Sequence, residues 1–344
     1  MIYSIDWLQF SALIDVKAFD IIKFNGVFKI ERLNFSTRHF KEIIEVHDTR
    51  QNKRVATITY KPHSDTLPKD LALVKVDNWL LYQNYLKTYL NEFINVFNIQ
   101  FKNLSRVDLC ADFNRIAYRN LKPQMFIKSF LSGKYIKLRK SKGQVYFNNG
   151  EILDFQYLKF GSARSRTCSY IYNKTKELDE VINKPHIREN WRKNNLSGEV
   201  WRCEFRLQNF DFLLTDTETG ELINFNGNVA GLNSLDIINQ VAPLFDALAN
   251  HYLTFKIKSN DTNKSRLKSF YLFENNKQFQ FKRIYNDNIE AGRSEKIFIK
   301  KLYELNNDLR GTDFEFSIAG TDVLNKVIEA TELRNWAINK GFIN

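Results

Sequence analysis

Residues 167–180 read TCSYIYNKTKELDE. Tyr170 and Tyr172 stand two apart, Lys174 follows two further on, and Glu177 comes three after that. A phenol loses its proton only near pH ~10, so a tyrosine nucleophile needs positive charge beside it, and a lysine at this spacing can supply that charge. Attack of such a tyrosine on a phosphodiester leaves a phosphotyrosine linkage, which keeps the bond energy for later religation. The plainer reading of the segment is an edge strand that runs into a helix, with ordinary aromatic packing.

Two more stretches carry chemistry-bearing residues at strand spacing. Side chains alternate between the faces of a strand. Residues 106–113 therefore place Arg106, Asp108, Cys110 and Asp112 on one face and Val107, Leu109, Ala111 and Phe113 on the other. In WRCEFRL (201–207), Arg202, Glu204 and Arg206 oppose Trp201, Cys203, Phe205 and Leu207. In 168–174, Tyr170, Tyr172 and Lys174 fall together, although the opposite side is less apolar. An antiparallel sheet can pack one face and leave the other open. Carboxylates alternating into such a sheet are costly unless paired or metal-bound. Oxygen donors of this kind suit Mg²⁺ or Mn²⁺, and such an ion polarises a phosphodiester and stabilises developing charge. Any one of these strands alone reads as a solvated face of mixed charge; the three together favour a site.

The elements that must position these residues can be read from periodicity. Residues 1–14, 42–60, 103–116 and 199–207 alternate as strands, and 133–174 contains several short ones. Residues 77–97 have helical spacing with Asp77 as N-cap, and 122–131 form a short helix with Pro123 near its start. Further helices are expected near 184–194, 236–253 and 294–309. The predicted fold is α+β: a mainly antiparallel catalytic sheet flanked by helices, followed by a smaller, mostly helical C-terminal part. FNGNVAGLNSL (225–235) is the best candidate boundary, giving a catalytic domain over 1–224 and an accessory or DNA-binding region over 225–344.

Composition adds the class of partner. Lys and Arg number 51 against 39 Asp and Glu, a formal charge of +12 over 344 residues. A polyanion partner follows from that excess, and 29 Phe, 15 Tyr and 5 Trp offer faces for unpaired bases. The alternative is a soluble basic protein rich in Lys, Asn and Ile. The sequence has no long uncharged apolar stretch to span a membrane and no secretory signal in MIYSIDWLQF, so a cytoplasmic location is expected. The three cysteines (Cys110, Cys168, Cys203) have no CxxC spacing and read as reduced apolar fillers, and the five histidines form no HxH or HExxH motif.

With these residues in view, SRVDLCADF, YLKFGSARSRTCSYIYNKTKE, WRCEFRL and the opening IDWLQF resemble, in the same order, four segments of the Rep_trans family of plasmid and phage rolling-circle replication initiators and related conjugative relaxases. The resemblance covers about residues 3–210. It implies a sequence-specific nicking and joining endonuclease whose tyrosine stays on the 5′-phosphate and leaves a 3′-OH. The family's tyrosine and lysine fall on Tyr172 and Lys174. Metal binding falls first on Asp108 and Glu204, then on Asp112 and Glu177. Arg106, Arg202 and Arg206 are expected to meet DNA. One departure stands out: the family's arginine two before the tyrosine is here Tyr170, which removes a phosphate-binding charge that Arg164 or Arg166 could replace, and offers a rival nucleophile. Origin DNA, hairpin or single-stranded, is the implied partner, with a host helicase and a second copy of the chain as further candidates. The rival functions are a conjugative relaxase of the same chemistry, a non-catalytic basic DNA-binding protein and an RNA-binding module.

Overall fold

The computed structural model describes residues 1–137 except 25, 143–147, 155–162, 167–208 except 182, 212–220, 222–224, 231–274 except 262 and 264, 279–283, and four positions beyond them (302, 303, 325 and 328). The chain divides into two compact units, Met1–Arg283 and Ile284–Asn344. Among the described residues, every strand lies in the first unit.

In chain order the strands are β1 (Ile2–Leu13), β2 (Phe28–Leu33), β3 (Phe40–Asp48), β4 (Lys53–Pro62), β5 (Leu71–Val76), β6 (Gln100–Phe113), β7 (Tyr135–Lys137), β8 (Gly143–Phe147), β9 (Phe155–Phe160), β10 (Thr167–Asn173), β11 (Trp201–Leu207), β12 (Phe212–Asp216), β13 (Leu222–Asn224), β14 (Thr254–Ile257), β15 (Ser269–Tyr271) and β16 (Phe279–Arg283). The helices are α1 (Val16–Ile21), α2 (Leu86–Val96), α3 (Pro123–Leu131), α4 (Lys174–Glu180), α5 (Pro185–Lys193) and α6 (Val241–Tyr252). Ten strands form one sheet in the order β2-β3-β4-β5-β1-β6-β11-β10-β9-β8, with every neighbouring pair antiparallel. Two three-stranded sheets, β13-β12-β16 and β15-β14-β7, accompany it. The fold is thus α+β around a large antiparallel sheet, as the alternation predicts.

The apolar alternation explains which face is closed. Val107, Leu109, Ala111, Trp201, Cys203, Phe205, Leu207, Ile171 and Leu158 are all buried on one side. Helix α6 packs there, with Phe245 edge-on to Phe205 at 5.2 Å, and α3 brings Phe130 edge-on to Phe160 at 5.8 Å. At the β2 end, Phe28 meets Phe93 of α2 edge-on at 5.8 Å. Burial of this apolar area is the main favourable term holding the sheet to its helices.

The opposite face is only partly open. Leu178 of α4, Ile187 and Trp191 of α5, and Val200 form a small separate cluster, with Ile2 and Tyr82 packed against it. This cluster roofs one end of the central strands. β1 contributes a bulge here: Ile5 pairs with Leu109 and Trp7 with Asp108, so Asp6 is the extra residue and both Asp6 and Trp7 face the polar side.

Three differences from the sequence reading have physical reasons. The helical pattern over 77–97 breaks into a 3₁₀ turn (Leu80–Tyr82) and α2, because Gln83 is extended at φ −95°, ψ 139°. Asp77 caps no helix; its carboxylate takes the Arg54 guanidinium at 2.8 Å. The boundary expected at 224/225 is not where the compact units divide. Residues 231–283 belong to the first unit, held by Phe245 on Phe205 and by the Tyr3 hydroxyl donating to Asp246 at 2.7 Å. The helix expected over 294–309 lies outside the described residues apart from 302 and 303. Among the described residues, no helix is long and apolar enough to cross a membrane.

Candidate functional site

β10 pairs with β11 so that Tyr170 lies opposite Glu204 and Tyr172 opposite Arg202, and β11 pairs with β6 so that Glu204 lies opposite Cys110, Arg206 opposite Asp108 and Arg202 opposite Asp112. The three polar faces therefore join into one. β10 ends at Asn173, whose side chain accepts the Lys176 backbone N–H at 2.9 Å and caps α4. Lys174 is thus the first residue of a helix rather than the last of a strand. Its side chain is 1% exposed and still reaches back to Tyr172.

That contact is the centre of the site. The Tyr172 hydroxyl donates to Glu204 Oε2 at 3.1 Å, and Lys174 Nζ donates to Tyr172 Oη at 3.5 Å. Lys174 Nζ also pairs with Glu177 Oε2 at 2.5 Å. The phenol opens on a cleft of about 430 Å³ lined also by Tyr157, Tyr170, Lys176 and Arg206. Burial, then the charges of Asp108 and Asp6, push the Glu204 carboxyl up to about 7. Burial and the neighbouring Glu204 hold the Tyr172 phenol well above its ordinary value, in spite of Arg202. Lys174 at 3.5 Å thus does not bring the phenol below its ordinary value, contrary to the expectation from spacing, and a proton leaving this hydroxyl would need a base. Glu204 is in hydrogen-bond reach to take it, and a base that titrates near neutral pH is matched to that task.

Tyr170 is set differently. Its hydroxyl faces the Cys168 thiol at 3.7 Å, and burial, then that thiol, raise its phenol. Arg206 and Lys159 stand over its ring at 5.3 and 5.7 Å. The loop before it begins at Gly161, with φ +93°, where an added Cβ would come within 3.1 Å of the Thr167 carbonyl oxygen, so a larger residue would strain this turn. Arg164 and Arg166 lie outside the described residues.

The expected carboxylate cluster does not form. Arg106 grips Asp108 through Nε (2.9 Å) and Nη2, and Arg206 lies 3.6 Å from the same carboxylate and 4.0 Å from Glu204. Asp112 is completely buried, taking two bonds from Arg202 (2.6 and 2.7 Å) and one from the Trp191 indole (2.7 Å). Glu177 is paired with Lys174. Each of the four acids already has a cation or a hydroxyl partner, and among the described residues no three His, Cys, Asp or Glu side chains form a metal-ligand group. The arrangement does not fit a divalent ion on this donor set; Lys174, Arg106 and Arg206 provide positive charge there instead.

Arg202 corrects a second expectation. It is fully buried, and besides Asp112 it donates to Asp6 Oδ1 (2.7 Å) and the Tyr82 hydroxyl (3.0 Å). A guanidinium enclosed by protein partners cannot contact DNA. Arg106 and Arg206 remain partly exposed, with side chains 20% and 27% accessible.

The residue that sequence reasoning missed is Asp6. It accepts from Arg202, from Tyr82 (2.8 Å) and from Asn78 (3.2 Å), and Asn78 in turn meets His186 Nε2 at 2.8 Å. Burial works against the Asp6 carboxylate, but Arg202 and Lys174 hold it well below the usual range. Alternation from Ile2 through Ser4 already puts Asp6 on the polar face, opposite Ile5; the bulge adds Trp7 to that side, and the partner Arg202, 196 residues on, is what the sequence does not show.

No protein-family model matches the sequence, and no curated protein matches it. Among solved structures the chain is similar to a rolling circle replication initiator protein from Geobacillus stearothermophilus, at 15% identity and a TM-score of 0.43, over 78% of this chain and 92% of that one.

Proposed function

We propose that this chain nicks and rejoins DNA through a covalent tyrosine intermediate, as a rolling-circle replication initiator does. The observation that supports this is the Tyr172 hydroxyl held between Glu204 at 3.1 Å and Lys174 at 3.5 Å at the edge of an open cleft. A buried Tyr–Lys–Glu set that served packing alone would have no need of a cleft, or of a carboxyl poised at about 7. Two of the four segments that resemble Rep_trans proteins, YLKFGSARSRTCSYIYNKTKE and WRCEFRL, carry these three residues.

In the proposed reaction the Tyr172 oxygen attacks a backbone phosphorus while its proton passes to Glu204. The bond from phosphorus to the 3′ oxygen breaks, that oxygen departs with the electron pair and takes a proton from solvent water to become a 3′-OH, and the 5′-phosphate remains esterified to the tyrosine. Lys174 and Arg206 face the charge that develops on the phosphoryl oxygens. Religation is the reverse, with protonated Glu204 returning its proton to the leaving phenol. Tyr172 is the proposed nucleophile over Tyr170 because only its hydroxyl has a carboxylate acceptor. Origin DNA is the proposed partner.

The test is incubation of the purified protein with supercoiled DNA carrying its origin, with Mg²⁺, Mn²⁺ or a chelator, followed by peptide mapping of any denaturant-resistant adduct. An adduct at Tyr172 supports the proposal. An adduct on another residue refutes the assignment, and salt-sensitive binding without any adduct in any arm refutes the activity.

A further inference from the structure

The polar face does not end at the tyrosine cleft. It continues from β10 across β11 and β6 to β1 and β5, and there it carries a second cluster. Trp7 of β1 lies opposite Asp108, and Gln9 lies opposite both Arg106 and Lys75. Two cations stand on the Trp7 ring: Lys75 Nζ is 3.8 Å from its centroid and Arg106 Cζ is 4.1 Å. The indole N–H donates to Gln9 at 3.2 Å, which fixes the ring plane on the sheet.

The two cations differ. Arg106 is pinned by its two bonds to Asp108. Lys75 is exposed and, among the described residues, has no ion pair. Burial first, then the charges of Arg54, Arg106 and Lys184, disfavour its ammonium, against an attraction from Asp77. A cation that is held in like-charged surroundings, over an aromatic ring, is one that an incoming phosphate would draw aside, uncovering the ring. Between Trp7 and the cleft stand Arg106 and Arg206, and at the cleft stand the Tyr170 ring with Lys159 and Arg206 over it. Aromatic faces alternating with cations along a sheet are what an unpaired strand requires: stacking surfaces for bases and charges for the backbone. The strands bearing Trp7 and Tyr172 are three strand spacings apart, about 14 Å, within the reach of a few nucleotides.

We propose that Trp7, with Lys75 and Arg106, is a base-stacking platform that holds single-stranded DNA on the sheet a few nucleotides from the phosphate at Tyr172. The proposal rests on the nicking function for its ligand, but its test does not need the chemistry. Labelled oligo-dT is titrated by anisotropy against full-length Tyr172→Phe protein in chelator, so that only binding is read. Adding Trp7→Ala is expected to weaken binding tenfold or more, roughly the loss of one stacked base. Trp7→Phe is expected to restore most of it and Trp7→Leu little. Lys75→Gln is expected to lower the slope of log affinity against log salt by about 1.

Equal binding by Trp7→Ala, or equal binding by the Phe and Leu variants, overturns the platform. So does a map of photo-crosslinks from iodouracil-substituted DNA to the unsubstituted protein in which Trp7 is missing; this arm stands even if a Trp7 variant fails to fold. A tenfold preference for oligo-U RNA overturns the assignment to DNA. If no covalent adduct is ever found while the Trp7 series behaves as expected, the nicking function fails and the platform stands.

Discussion

Adjacent strands of one sheet build two different places on one face, with β11 contributing to both. Under the roof of α4 and α5, Arg202, Asp112 and Asp6 form a closed set in which every charge meets a partner and the arginine has no exposure. Further along β11 and across on β10, Glu204, Arg206, Tyr172 and Tyr170 line a cleft. Residue types and alternation are alike in both halves; what differs is the cover. Trp191 caps Asp112 and Tyr82 caps Arg202, whereas Glu204 has the Tyr172 hydroxyl as its partner. A charged alternation therefore specifies a polar face, and the helices that follow in the chain decide which part of it is closed and which part borders a cleft. The roofed half also serves the other: buried, paired charges hold β1, β6 and β11 in register and so fix where Glu204 stands.

Substitutions can pull the two halves apart. Tyr172→Phe is expected to reduce covalent adduct formation by more than about 10³-fold, with stability within about 1 kcal/mol of the parent, while Tyr170→Phe retains the adduct; adduct yield on denaturing gels together with urea unfolding reads both. Arg202→Met should act in the opposite sense. Removing one member of a buried ion set leaves Asp112 and Asp6 uncompensated and costs about 3–5 kcal/mol, seen as an early urea midpoint; a midpoint near that of the parent would mean that the roofed half is not structural.

Glu204→Gln sharpens the contrast through pH. The folded carboxyl titrates at about 7 against an ordinary 4.5, so between those values the folded state binds more protons than the unfolded state and stability falls as pH rises. At pH 8 the penalty is on the order of 3 kcal/mol. The glutamine variant should lose this slope, unfolding later than the parent at pH 8 and together with it near pH 4.5; parallel curves at both pH values would contradict the placement of Glu204. The smallest effect is expected from Trp191→Phe, which removes one bond to the buried Asp112 carboxylate and costs about 2 kcal/mol, with nicking retained in the fraction that remains folded.

Much of this was legible in the sequence because strand alternation is a local signal. The faces of 106–113 and 201–207 are as the pattern predicts, and Tyr172 and Lys174 meet although Lys174 opens a helix. The partners were not legible. Nothing local says that Asp108 belongs to Arg106 and Arg206, that Asp112 belongs to Arg202 and Trp191, or that Glu204 alone is left to the tyrosine. These pairings depend on inter-strand register and on α5, which is remote in the chain. Asp6 shares a face with Ile2 and Ser4, but its partner Arg202 comes from a strand remote in the chain, and the break at Gln83 is a backbone turn within a stretch whose apolar spacing is helical throughout.

The bulge at Ile5–Trp7 has a further consequence. It gives β1 two adjacent residues on the same side, Asp6 turned toward the buried arginine and Trp7 half-buried under Lys75 and Arg106. Deleting a single amino acid there would return the strand to an even pleat. One of the two would then be lost from the polar side, so a change of one codon would force a choice between anchoring the scaffold and gripping a ligand.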